Sequence, residues 1–98
     1  MYVQVAHYTL GTGSVEDLRP RVEEGPVEVM REVPGFVEYY AFDTGDGVVA
    51  SVSVFADRSG LEEAERRLAE WIEATVSALD ISPGDVTEGE VFATTRVS

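Results

Sequence analysis

At 98 residues the chain has room for one domain, spanning residues 1–98, and a domain of that size buries only about two thirds of its unfolded surface. Nineteen acidic residues stand against seven basic ones, every basic one an arginine, for a formal net charge of -12. So negative a surface argues against nucleic acid and anionic membrane as partners, because both are bound through Lys and Arg displacing counterions. The absence of cysteine removes disulfides, thiolate nucleophiles and cysteine zinc sites, while a hydrophobic fraction of 44% argues against disorder.

The acidity has two readings. One is adaptation to a salt-rich cytoplasm, where dense carboxylates stay hydrated and their repulsion is screened within about 3 Å near 1 M salt. The other is drift toward arginine codons. MYVQVAHYTL carries no basic leader region, and no apolar run approaches the roughly 18 residues of a membrane span, so a soluble cytoplasmic protein is expected.

In chain order, Tyr2 to Leu10 is rich in β-branched and aromatic residues and is closed by Gly11, Thr12 and Gly13, which reads as a first strand. Ser14 with Asp17 three residues on marks a helix start. A helix from about Val15 to Glu24 is expected, then a break at Gly25 and Pro26 and a short turn to Glu32, with Val22, Val27, Val29, Met30 and Val33 inward. Pro34 to Asp57 spells two alternating strands around a turn of Asp43, Thr44, Gly45, Asp46 and Gly47, a β-hairpin. Ser59 and Glu62 have the spacing of a capping box. After them Leu61, Ala64, Leu68, Trp71, Ile72, Thr75 and Leu79 form one apolar helical stripe, with Glu62–Arg66 and Glu63–Arg67 spaced for pairing on the other side. Pro83 and Gly84 stop this helix near Asp80, and Glu90 to Val97 reads as the last strand.

The order βαββαβ predicts an α+β, ferredoxin-like domain: a four-stranded antiparallel sheet with two helices on one face and the other face bare. A period of two assigns the side chains. Val37, Tyr39, Ala41, Val48, Ala50, Val52 and Val54, with Val3, Val5, Val91, Ala93 and Val97, are expected under the helices. Phe36, Glu38, Tyr40, Phe42, Val49, Ser51, Ser53 and Phe55, with Gln4, Tyr8, Phe92, Thr94 and Arg96, are expected on the bare face. Aromatics in that number on an open sheet call for a cover, and a second copy of the chain across a two-fold axis provides one.

On that face Gln4, Glu38, Tyr40, Ser51, Ser53 and Arg96 make the best polar constellation, with Glu38 expected opposite Ser53 and Tyr40 opposite Ser51. A buried Glu38 would have a raised pKa and could remove a proton from a phenol or enol; the alternative is a Glu38–Arg96 pair that closes a dimer. His7, the single histidine, is either a base or metal ligand or a hydrogen-bonded structural residue, and the period turns it toward the helices. Trp71 is either core or a substrate contact. Asp43 and Asp46 lack the distal glutamate of a calcium loop and read as turn residues, so no metal site is expected.

Pro34, Gly35 and Phe36 ahead of the second strand, the hairpin, the exit at Phe55, Ala56 and Asp57, and the acidic helix that follows resemble the dimeric α/β barrel superfamily. Within it the chain is most similar to antibiotic biosynthesis monooxygenase-like proteins. The resemblance implies a homodimer joined through the sheets and a pocket between sheet and helices. Taken with the mixed aromatic and polar face, the likeness motivates a cofactor-independent oxygenase acting on an aromatic or quinone-like small molecule, for which the residues offer Glu38, Tyr40 and His7 as catalytic candidates and Gln4, Tyr8, Ser51, Ser53, Trp71 and Arg96 as substrate contacts. The alternative is a non-catalytic homodimeric module that binds a small ligand or serves assembly. Haem-degrading relatives hold iron through a helical histidine, and no histidine follows His7 here.

Overall fold

The structure, a computed structural model, describes residues 1–11 and 13–96; Thr12, expected in the first turn, and Val97, expected under the helices, lie outside them. The described chain runs β1 (Tyr2–Thr9), α1 (Val15–Glu24), α2 (Pro26–Arg31), β2 (Phe36–Gly45), β3 (Val48–Phe55), α3 (Arg58–Leu79) and β4 (Ser82–Glu90). The strands pair antiparallel in the order β2-β3-β1-β4, and the helices pack on one face, which is the ferredoxin-like arrangement that the sequence predicts.

Local chemistry explains the helix ends. Ser14 and Asp17 form the reciprocal capping box at the start of α1. Pro20 lies inside α1 without ending it; the break comes at Gly25, and Pro26 opens α2, where its missing N–H costs nothing. At α3 the cap is Asp57, and the expected box of Ser59 and Glu62 does not form. The Asp57 carboxylate accepts from the Gly60 N–H at 3.2 Å and from the Ser59 hydroxyl at 2.6 Å. These bonds, the Ser59 one foremost, hold its pKa below the usual carboxylate range. Asp80 ends the helix in the left-handed conformation. Along the outer face Glu63 takes both Arg66 and Arg67, while Glu62 pairs with Arg58, replacing the expected Glu62–Arg66 pair. Such exposed pairs are worth only tenths of a kcal/mol.

The sheet register departs from the expected one, and the reason lies in β2. Asp46 and Gly47, both at positive φ, make a two-residue turn between Gly45 and Val48. A bulge at Thr44 then absorbs one residue, so Tyr40 faces Val52 and Glu38 faces Val54 instead of Ser51 and Ser53. Tyr39 and Ala41 take the places opposite those serines. A second bulge at Val37 returns Phe36 to a position opposite Phe55. Gln4, Tyr8, Val49, Ser51, Ser53 and Phe55 do share one face, as expected, but it is the face under the helices. The valines Val3, Val5, Val52 and Val54 fall on the open side, and His7 with them.

The last strand is also displaced. Glu90–Val97 has the better strand composition, yet β4 is Ser82–Glu90, set by pairing with the free edge of β1. Pro83 is tolerated because it sits at the start of an edge strand. The Val91 N–H donates to the Met1 carbonyl, and Phe92 beyond it is fully exposed.

The core is divided. One cluster gathers Met30, Val33, Phe55, Leu61, Ala64 and Leu68, with Phe36 edge-on to Phe55 at 5.8 Å between ring centres. The other gathers Leu10, Leu18, Val49, Leu79 and Ile81 at the hairpin end.

Candidate functional site

Between the two clusters the sheet presents Ala41, Ser51 and Ser53, and α3 presents Thr75 above them, side chains too small to meet across the layer. A cavity of about 520 Å³ results, within the range of small-molecule sites. Leu68 and Ile72 of α3, Met30 of α2 and Val22 of α1 make its roof apolar, and Trp71 adds an aromatic wall. The Trp71 ring fits because residue 25 is glycine: a Cβ there would collide with Nε1 and lie 2.7 Å from Cδ1.

The polar groups come from the sheet. Tyr8 of β1 and Tyr39 of β2 are half-buried on either side of Ser51 and Ser53 of β3. Burial, then the neighbouring Tyr8 hydroxyl, pushes the Tyr39 phenol up to about 12, against a smaller pull downward from the nearby Ser51 hydroxyl. Burial, with Glu65 second, raises Tyr8 as well. Both phenols are therefore protonated donors at neutral pH. A raised folded-state pKa on Tyr39 adds stability that is whole below pH 10 and is lost as pH climbs through about 12.

On the β4 side the Gln4 amide bridges two carboxylates, donating to Glu65 Oε1 at 3.1 Å and to Glu88 Oε2 at 3.2 Å. Tyr2 donates to the other Glu88 oxygen at 3.0 Å. The Gln4 bond first and the Tyr2 bond second hold the Glu88 carboxyl below its usual range.

Of the candidates from the sequence, Gln4, Tyr8, Ser51, Ser53 and Trp71 thus meet in one cavity. Glu38, Tyr40, His7 and Arg96 do not join them. Tyr40 donates to Glu38 Oε2 at 2.8 Å and Arg96 pairs with Glu38 Oε1, which gathers those three around one carboxylate on the open face. His7 is exposed there, opposite Ala50. Two cavity residues lie outside the candidates that the sequence offers, Tyr39, which its period places under the helices, and Glu65 of α3. The signal for Tyr39 was present in the pair Tyr39–Tyr40, since adjacent strand residues face opposite ways and one of them must look under the helices. Among the described residues no His, Cys, Asp or Glu cluster gathers as a metal site, and no helix is long and apolar enough to cross a membrane.

The arrangement can hold a flat ring against Trp71, present neutral hydroxyl donors to oxygens of a ligand, and offer the Glu65 carboxylate as an acceptor at the rim. No family model matches the sequence, and no curated protein matches it. Solved structures do. SnoaB from Streptomyces nogalater, described as a cofactor-independent oxygenase, is 16% identical with a TM-score of 0.76, the match covering 96% of this chain and 95% of that one. NE2512 from Nitrosomonas europaea, of unknown function, is 15% identical with a TM-score of 0.80, covering 99% and 94%. A proposed antibiotic biosynthesis monooxygenase from Deinococcus radiodurans is 12% identical with a TM-score of 0.80, covering 100% and 99%. At these identities the likeness is one of architecture, and the chain shares its ferredoxin-like fold with a cofactor-independent oxygenase and a proposed antibiotic biosynthesis monooxygenase.

Proposed function

We propose that the cavity binds a flat aromatic or quinone-like molecule and that the protein acts on it as a cofactor-independent oxygenase. The observation that carries this is the unfilled space between the two core clusters, toward which hydroxyl donors converge from three strands. The architecture shared with SnoaB supports the reaction class. In such a reaction the substrate is its own reductant. A phenol loses its hydroxyl proton, the electron-rich ring carbon adds O2, that carbon's C–H bond and the O–O bond break, one oxygen remains as a quinone carbonyl, and the other leaves as water with the hydroxyl proton and the ring hydrogen.

The residues divide the work. Tyr8 and Tyr39, both protonated and half-buried, donate to the substrate oxygen as it becomes an oxyanion. Glu65, beside Gln4 and Tyr8, takes the proton, the role that the sequence offered to Glu38. Glu38, Tyr40 and Arg96 are read as part of an interface. Tyr40 and Phe42 are 55% and 51% exposed on the open face beside Val3, Val5, Val52 and Val54, and a second copy of the chain is the cover that face calls for.

Removing one hydroxyl donor should cost mainly kcat. Tyr39→Phe is expected to lower kcat by about 10²-fold, with binding changed by no more than about threefold. Oxygen uptake over a panel of hydroquinones and hydroxynaphthalenes, with heat-denatured protein as the baseline, measures it. Saturable binding with no turnover by the native protein would favour the non-catalytic ligand-binding module instead. Native kcat in Tyr39→Phe would overturn the assigned role.

A further inference from the structure

We infer that Glu65 makes the cavity selective by charge, admitting uncharged hydroxyl-bearing aromatics and turning away the matching carboxylates. This rests on the reading of the cavity as a ligand site and adds to it the property that decides which aromatic enters. Besides the neutral phenols Tyr8 and Tyr39, the charged side chains along the cavity are Glu65, Glu23, Asp43 and Arg19, three carboxylates to one guanidinium. Arg19 is already paired, with Glu16 at 3.3 Å.

Around Glu65 no cation is left over. Arg66 and Arg67, its neighbours on α3, are both held by Glu63, at 2.6 and 2.7 Å. Arg58 pairs with Glu62 at 3.1 Å and reaches Glu88 at 4.0 Å. The Gln4 amide donates both its hydrogens to Glu65 and Glu88, so only its carbonyl oxygen remains for a ligand. Beside Glu65 the rim therefore offers acceptors and one neutral donor, the Tyr8 hydroxyl, while Tyr39, Ser51 and Ser53 follow along the sheet. A ligand that fits both ends has a hydroxyl at the rim and a carbonyl or second hydroxyl oxygen inside. A carboxylate at the rim would meet Glu65 with no guanidinium free to offset it, a repulsion that moderate salt leaves largely unscreened at contact distance.

The test is isothermal titration under anaerobic conditions at about 0.1 M salt, comparing 1,4-dihydroxynaphthalene with 1,4-dihydroxy-2-naphthoate. The native protein is expected to bind the neutral compound at least about tenfold more tightly, the size of effect one nearby charge gives. Glu65→Gln should narrow that ratio at least threefold, by strengthening naphthoate binding, and Glu65→Arg should reverse it. Glu73→Gln, an equal charge change on the exposed side of α3 away from the cavity, should leave the ratio unchanged. Equal affinities in the native protein, or a ratio untouched by Glu65→Gln, would overturn the inference while leaving the cavity as a ligand site. If neither compound binds the native protein, the cavity reading falls with it.

Discussion

Phe55→Ala is expected to remove a large share of the stability of the fold. Among the described residues Phe55 is the one large side chain with no exposure at all, in the cluster of Met30, Leu61, Ala64 and Leu68 and edge-on to Phe36. Its ring also closes the junction between β3 and α3, where a Cβ on Gly60 would come within 3.0 Å of the Phe55 ring. That close approach leaves little freedom for α3 to settle into the space a deleted ring leaves. Truncating a buried phenylalanine costs about 3–5 kcal/mol. For a domain of this size the total is about 5–15 kcal/mol and each kcal/mol moves the midpoint by about 4–8 °C, so a drop of at least about 12 °C follows. Thermal unfolding followed by circular dichroism measures it. A change below about 1 kcal/mol would mean that the cluster is not packed as described.

Val52→Glu should act on association instead. Val52 stands in the middle of the open face, between Val5 on β1 and Tyr40 on β2. The native protein is expected to sediment as a dimer, twice the 10.7 kDa of the chain, in enough salt to screen a charge of -12 per copy. A glutamate at that position would bury two unpaired carboxylates about the two-fold axis, each costing several kcal/mol, so the dissociation constant should rise by at least about 10³-fold. The variant should keep its helical circular dichroism, because Val52 belongs to neither core cluster. Sedimentation velocity over a hundredfold concentration range decides it, and a native protein that stays monomeric throughout would remove the two-copy reading.

How far the sequence carried depends on what each position answers to. Strands β1, β2 and β3, the break at Gly25–Pro26 and the long α3 follow from local periodicity and turn chemistry, which are written along the chain. Register is not. The grouping of Gln4, Tyr8, Ser51 and Ser53 was legible, since all four share one parity on two strands that pair without interruption. Their side of the sheet turned on Thr44, where one bulged residue exchanged the partners of Glu38 and Tyr40. Nothing in Asp43–Thr44–Gly45 announces a bulge over a longer turn. The edge strand misled for a related reason: β1 offers its free edge to whatever chain follows α3 closely, so Ser82–Glu90 pairs despite Pro83, Gly84 and Gly89. Glu65 could not be told from Glu62 or Glu63 by composition; its contact with Gln4, 61 positions away, sets it apart.

Trp71, the only tryptophan, forms a wall of the cavity and reports directly on whether anything enters it. Titrating the native protein with 1,4-dihydroxynaphthalene while following Trp71 emission is the most direct test that the space between the two clusters takes a small aromatic molecule. A saturable quench at one ligand per chain, with a dissociation constant in the micromolar range or about 8 kcal/mol of binding energy, is the predicted result. Emission that changes only in proportion to added compound, with the protein folded throughout, would contradict it.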